Sequence, residues 1–163
     1  MGDVTGLRSP WMESEREVLL RFLTKMRNAV VRTSEGLTDD QQRTPGVPSG
    51  TNLLGLIKHL TWCEEHWFQR VFLDAGIKTD ESMVVPADTT YEQLVSAYRQ
   101  ACARTDEIVR ACPDLATLAK IANPGEDLRV PLRVIVAHMI EETGRHAGHA
   151  DILREQIDGA TDL

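Results

Sequence analysis

The sequence predicts an all-α protein, a four-helix bundle, on three observations. Apolar residues recur at three- and four-residue spacing through most of the chain, the periodicity of helices that bury one face. The pattern breaks at glycines, prolines and capping residues, and no strong two-residue alternation, internal repeat or low-complexity tract interrupts it. The length, 163 residues of which 42% are hydrophobic, suits a single domain over residues 1–163 with a core of its own.

The first helix is expected after Pro10, over about 13–34, with Val18, Leu19, Phe22, Met26, Ala29 and Val30 on one face and Gly36 as its stop. The connector LTDDQQRTPGVPSGT follows, with Thr38 as N-cap of a single turn. The second helix is expected over about 52–75, ending at Gly76, and apolar residues nearly encircle it, which implies deep burial. Thr89 and Glu92 have capping-box spacing ahead of a third helix over about 90–112, which ends before Pro113. The stretch PDLATLAKIANPGEDLRV is punctuated by Pro and Gly, with a short helical turn expected around Ala116 to Lys120. Pro131 suits the first position of a fourth helix, over about 131–158, with Gly159 closing it. The last two connectors are long enough to cross a bundle, so patterning alone leaves the topology open.

Charge narrows the partners. Eighteen Lys and Arg against 25 Asp and Glu give a net charge of −7, which argues against a nucleic-acid surface and against attraction to anionic membranes. No apolar run approaches the ~18 residues of a membrane span, and the N-terminal residues lack the apolar segment of a signal peptide. Cys63, Cys102 and Cys112 are too sparse for a disulfide framework. A cytoplasmic protein acting on small molecules, metal ions or other proteins is expected.

The fourth helix carries the informative pattern. At about 100° per residue, Ile135, Met139, Glu142, His146, His149, Leu153 and Ile157 fall on one stripe, so a carboxylate and two imidazoles sit where a core should be. Burying a lone carboxylate is expensive, and such a Glu demands a partner, a proton or a metal. Glu142 and His146, four residues apart, can reach one cation from the same face. The second helix offers His59 as a third ligand, and two imidazoles with one carboxylate are the donor set of a catalytic zinc or non-haem iron centre. Cys63, four residues after His59, would close that site as a fourth ligand.

A buried Glu–His or Glu–Arg network explains the same stripe, with Arg145 and Arg154 as partners. His66, beside Glu64 and Glu65, reads as a hydrogen-bonded core or surface residue, and Trp62, Trp67, Phe68 and Phe72 as packing aromatics. Cys102 and Cys112 read as small apolar residues.

The segments LLGLIKHLTWCEEHWF and HMIEETGRHAGHADILREQIDG, at their relative positions, resemble the DinB-like family of bacterial metalloproteins, in particular its mycothiol-dependent branch. The resemblance covers nearly the whole chain. It implies up-down-down-up connectivity and a divalent metal, zinc before nickel, iron or manganese, held by His59, Glu142 and His146. Many members carry His at the position of Glu142. A Glu there is similar to the mycothiol-dependent maleylpyruvate isomerase, which has a further C-terminal domain, so isomerase activity is not expected to transfer.

The resemblance further implies a transferase that uses a low-molecular-weight, mycothiol-like thiol against an electrophile, with homodimerisation as a family habit. A cation with open positions lowers the pKa of a thiol, so no protein nucleophile is required. His149 and His138 are then the catalytic candidates for moving the proton, with His138 placed to orient a ligand. Hydrolysis at the same metal and a non-catalytic, dimerising bundle remain as alternatives.

Overall fold

The computed structural model describes residues 13–125 and 127–161. Pro10, after which the first helix was expected, lies outside that range. Helix α1 spans Glu15–Ser34, and the Ser14 hydroxyl caps it by accepting from the Glu17 amide. A single turn, α2, spans Asp39–Arg43 behind a capping box in which Thr38 and Gln41 exchange hydrogen bonds, as the connector's Thr38 implied. Helix α3 spans Leu53–Glu64 with Asn52 accepting from the Gly55 amide, and it continues without a break into a π-helical segment, Glu65–Phe72. Helices α4 and α5 span Tyr91–Ala111 and Leu132–Asp158, and Gly159 closes α5 in the left-handed region at φ 76°.

Three local expectations shift. The capping box of α4 is Thr90 with Gln93, one residue beyond the expected Thr89 and Glu92. Pro131 precedes the first turn of α5 rather than occupying it. No helical turn forms at Ala116 to Lys120, because the amides there serve other carbonyls: Ala119 donates to Val130, and Lys120 and Ile121 donate to Phe72 and Val71. The connector thereby satisfies carbonyls that the end of the π segment would otherwise leave unpaired.

Contacts between helices set their directions. Thr33 bonds Asp151, and Gly144 faces Met26, so α1 and α5 run parallel. Leu20 shares a cluster with Phe68 and Phe72 while Val30 shares one with Leu54 and Ile57, so α3 runs against α1. Tyr91 bonds the Val31 carbonyl and Arg110 reaches Glu17, so α4 also runs against α1. The order is up-down-down-up. Parallel α3 and α4 require the chain to return along the bundle, and the segment 73–90 does so, held by Lys58 to Asp80 at 2.7 Å and by Arg43 to the Thr89 carbonyl at 2.6 Å. It passes close over Gly55, where any Cβ would lie 2.9 Å from the Met83 carbonyl oxygen.

The core side of α1 is rotated from the expected stripe. Leu20, Leu23, Arg27, Val30, Val31 and Ser34 are buried, whereas Phe22 is 40% exposed. The rotation brings Arg27 inward, where it meets the fully buried Glu64 of α3 and Asp106 of α4. A charge inside a helical stripe is tolerated because its donors are taken by two carboxylates.

Candidate functional site

α3 and α5 run antiparallel, and their facing sides bring His59 opposite Glu142 and His146 near the middle of both helices. One carboxylate oxygen, Oε1 of Glu142, lies 3.1 Å from His59 Nε2 and 3.0 Å from His146 Nε2. The three donor atoms all lie within 4.8 Å of one another, and the side chains are only 14–17% exposed. The His59 and His146 rings meet edge to face at 4.8 Å.

The electrostatics suit a cation. Burial pushes the Glu142 carboxyl up, but the hydrogen bond from His59 and the charge and hydrogen bond of His146 outweigh it and hold the group below its ordinary value of 4.5. Burial pushes the His146 imidazole below its ordinary 6.5, and the Glu142 charge offsets this only in part. Near neutral pH the pair is therefore a carboxylate beside a neutral imidazole, both in the form a divalent cation needs. Two nitrogens and one oxygen would hold an ion from three side chains and leave it a position for a further ligand. The residues fit a divalent metal.

The other sequence candidates separate. His149 is exposed, and its Nδ1 lies 3.2 Å from His146 Nδ1, so it backs a candidate ligand. The His138 ring packs edge-on against Trp67 at 4.8 Å, and its Nδ1 lies 3.7 Å from Glu141. The Cys63 sulfur lies 3.4 Å from His59 Nε2 but falls outside the three-atom cluster, and burial, then the charges of Glu142 and Glu64, push its thiol well up. Arg145 pairs with Glu141 at 2.6 Å, and Arg154 serves Asp158 and the carbonyls of Thr33 and Glu35, so neither forms the Glu–Arg network with Glu142.

The sequence profile of the mycothiol-S-transferase family matches residues 18–159. The chain belongs to that family. Among solved structures it is similar to a conserved protein of Enterococcus faecalis, at 16% identity and a TM-score of 0.68 over 91% of this chain and 99% of that one. It is also similar to a DinB-like protein from Bacillus cereus, at 16% identity and a TM-score of 0.67 over 88% and 96% of the two chains. At that identity the likeness establishes the DinB-like fold, and no curated protein matches the chain. Among the described residues of this mycothiol-S-transferase family member, no helix is long and apolar enough to cross a membrane.

Sequence reading missed the ring contacts around the site. Trp62 stacks between His59 and His66, and the buried His66 places Nε2 2.9 Å from Asn123 Oδ1. The available signal is the three- and four-residue spacing of His59, Trp62 and His66 along one side of α3 and the start of the π segment, where Trp62 alone reads as packing.

Proposed function

We propose that the protein is a divalent-metal-dependent S-transferase that conjugates mycothiol to electrophiles, with His59, Glu142 and His146 as the metal ligands. The observation that carries the reading is Glu142 Oε1 held between two imidazole nitrogens, in a chain of the mycothiol-S-transferase family. Imidazole nitrogen with carboxylate oxygen suits zinc first, and also nickel, iron and manganese. Bound there, the cation lowers the pKa of a thiol so that thiolate is present at neutral pH.

The protein's own residues do the rest. His59 and His146 turn Nε2 toward Glu142 Oε1 and would offer their lone pairs there to the ion, while Glu142 supplies a negative charge. With the ion at Nε2, His146 would carry its proton on Nδ1 and donate it to His149 Nδ1, 3.2 Å away, which would hold the tautomer that leaves Nε2 free. His149, on the exposed side, is placed to pass the thiol proton to water. The thiol S–H bond breaks, an S–C bond forms to the electrophilic carbon, and the carbon–leaving-group bond breaks with its electron pair on the leaving group.

A protein thiol is a poor substitute for the cosubstrate. Burial raises the pKa of Cys63 and Cys102, and the buried Cys112 is engaged with the Asp114 carbonyl. The test is to load the protein with metal and follow thiol consumption with mycothiol and monobromobimane. Wild type is expected to outpace His59→Ala, and equal, slow consumption by the two would overturn the reading.

A further inference from the structure

We propose that Trp62, His66 and Asn123 are positioning residues for His59: a row of stacked rings, tied down at its far end, holds the His59 imidazole in the plane that aims Nε2 at Glu142. The consequence for metal rests on the reading of His59 as a ligand, but the ring geometry can be measured without metal.

The need for such a row comes from the imidazole itself. The torsion between its Cβ and the ring is broad and roughly two-fold, so the plane of a histidine is set by what packs on it. His59 meets Glu142 Oε1 at 3.1 Å and the Cys63 sulfur at 3.4 Å, both at Nε2. That is the atom an ion would take, so neither contact can hold the ring once the ion is bound. His146 differs, because His149 lies at its other nitrogen, Nδ1.

The ring face is left for the protein to grip. Trp62 stacks on His59 with centroids 5.6 Å apart and planes 29° apart, and the same indole stacks on His66 at 4.8 Å and 30°. Trp62 is therefore held between two imidazoles. It also packs against the core cluster that contains Phe68, which limits how far it can slide.

The far end of the row is fixed. His66 is 7% exposed, and its Nε2 donates to Asn123 Oδ1 at 2.9 Å, an oxygen that can only accept. Asn123 stands two residues beyond Ile121, whose amide donates to the Val71 carbonyl, and the Lys120 amide donates to Phe72. Backbone and side chain thus tie the connector to the π segment on which His66 stands. That segment begins at Glu65, and such widened turns are rare and frequently occur at functional sites.

The test titrates Co(II) into the full chain against a chromophoric chelator, with urea unfolding of the metal-free protein followed in parallel. Asn123→Ala and Trp62→Leu are each expected to weaken Co(II) binding about tenfold, the usual order for removing a group that orients a ligand. Trp62→Phe keeps a ring and is expected to lose less. His66→Phe keeps the ring face without the bond to Asn123, so it should match Asn123→Ala, and it carries the test where Trp62→Leu does not fold. Ile121→Ala loosens the same connector but puts no ring in the row, and it should keep the affinity within about twofold whatever its stability.

The three side chains act in series, so adding Asn123→Ala to Trp62→Leu should cost no further affinity. Additive losses in the double variant, or equal weakening by Ile121→Ala and Asn123→Ala, would overturn the proposal. In the metal-free protein, proton NMR should show contacts between the His59 and His146 rings, whose centroids are 4.8 Å apart, and Asn123→Ala and Trp62→Leu should weaken them. Contacts unchanged in both variants would also overturn it. Weakened contacts in the variants of a wild type that takes up no Co(II) would uphold the row and remove the metal reading instead.

Discussion

Arg27 and Glu64 form a two-pronged ion pair, Nε to Oε1 at 2.7 Å and Nη2 to Oε2 at 2.8 Å, with side chains only 6% and 0% exposed. Nη1 of the same guanidinium reaches Asp106 Oδ1 at 2.8 Å, so one arginine ties α1 to α3 and α4. Glu64 lies next to Cys63 and five residues beyond His59, so the pair sets where α3 stands relative to α1 from a different side of α3 than His59.

Breaking that pair is expected to be costly. Glu64→Ala leaves a buried guanidinium short of its partner and should lower unfolding free energy by about 3–5 kcal/mol, read from urea denaturation. The double variant Arg27→Met with Glu64→Leu should recover most of the loss, because no buried charge is stranded on α1 or α3. A loss in the double variant as large as in Glu64→Ala would contradict this account.

Metal retention should divide the residues of the site. Wild type is expected to hold one divalent ion per chain by elemental analysis, and His59→Ala, Glu142→Ala and His146→Ala to lose it. Cys63→Ser should keep it, because the sulfur lies outside the cluster of donor atoms. His149→Ala should keep the ion with about 10–100-fold lower affinity, the usual effect of removing a group that orients a ligand.

Acid should destabilise the metal-free protein in two stages. The folded His146 sits below its ordinary 6.5, so unfolded chains bind the extra proton first and stability falls as pH drops through that value. Glu142 sits below its ordinary 4.5, so its contribution is present above that value and is lost as pH falls through the lower, folded value. Thermal melting between pH 8 and pH 3 (about that range covers both groups) should show both stages, and His146→Gln should lack the upper one.

Two glycine substitutions should have opposite signs. A Cβ at Gly55 would meet the Met83 carbonyl at 2.9 Å, and Gly55→Ala should destabilise by about 1–3 kcal/mol as the return segment shifts. A Cβ at Gly148, in the exposed middle of α5, would meet nothing within 4 Å, and Gly148→Ala should stabilise by about 0.5–1 kcal/mol. Melting temperatures of the two variants in metal-free buffer check both signs.

Much of this was readable along the chain. The helix ends at Ser34, Ala111 and Asp158 fall within a residue of where the glycine, proline and capping signals put them, because those signals act over three or four residues of backbone. The inward turn of Arg27 was not read, since a stripe chosen by hydropathy passes over a charge whose partners stand on other helices. The turn expected at Ala116 to Lys120 fails for a similar reason: the amides of Ala119 and Lys120 donate to the Val130 and Phe72 carbonyls, distant in sequence.

By itself the sequence determined an all-α bundle and the alignment of Glu142 with His146, because a rise of about 1.5 Å per residue stacks positions four apart in any helix. It also offered His59 as a third ligand, Cys63 as a fourth, and His138 and His149 as residues that move the proton or orient a ligand, without fixing how any of them stands to Glu142. Only the tertiary structure separated them, putting His59 against Glu142, His149 behind His146, Cys63 just outside the cluster and His138 on Trp67. The register between α3 and α5 made that choice, and register depends on how all the side chains of two helices pack together rather than on spacing within either one.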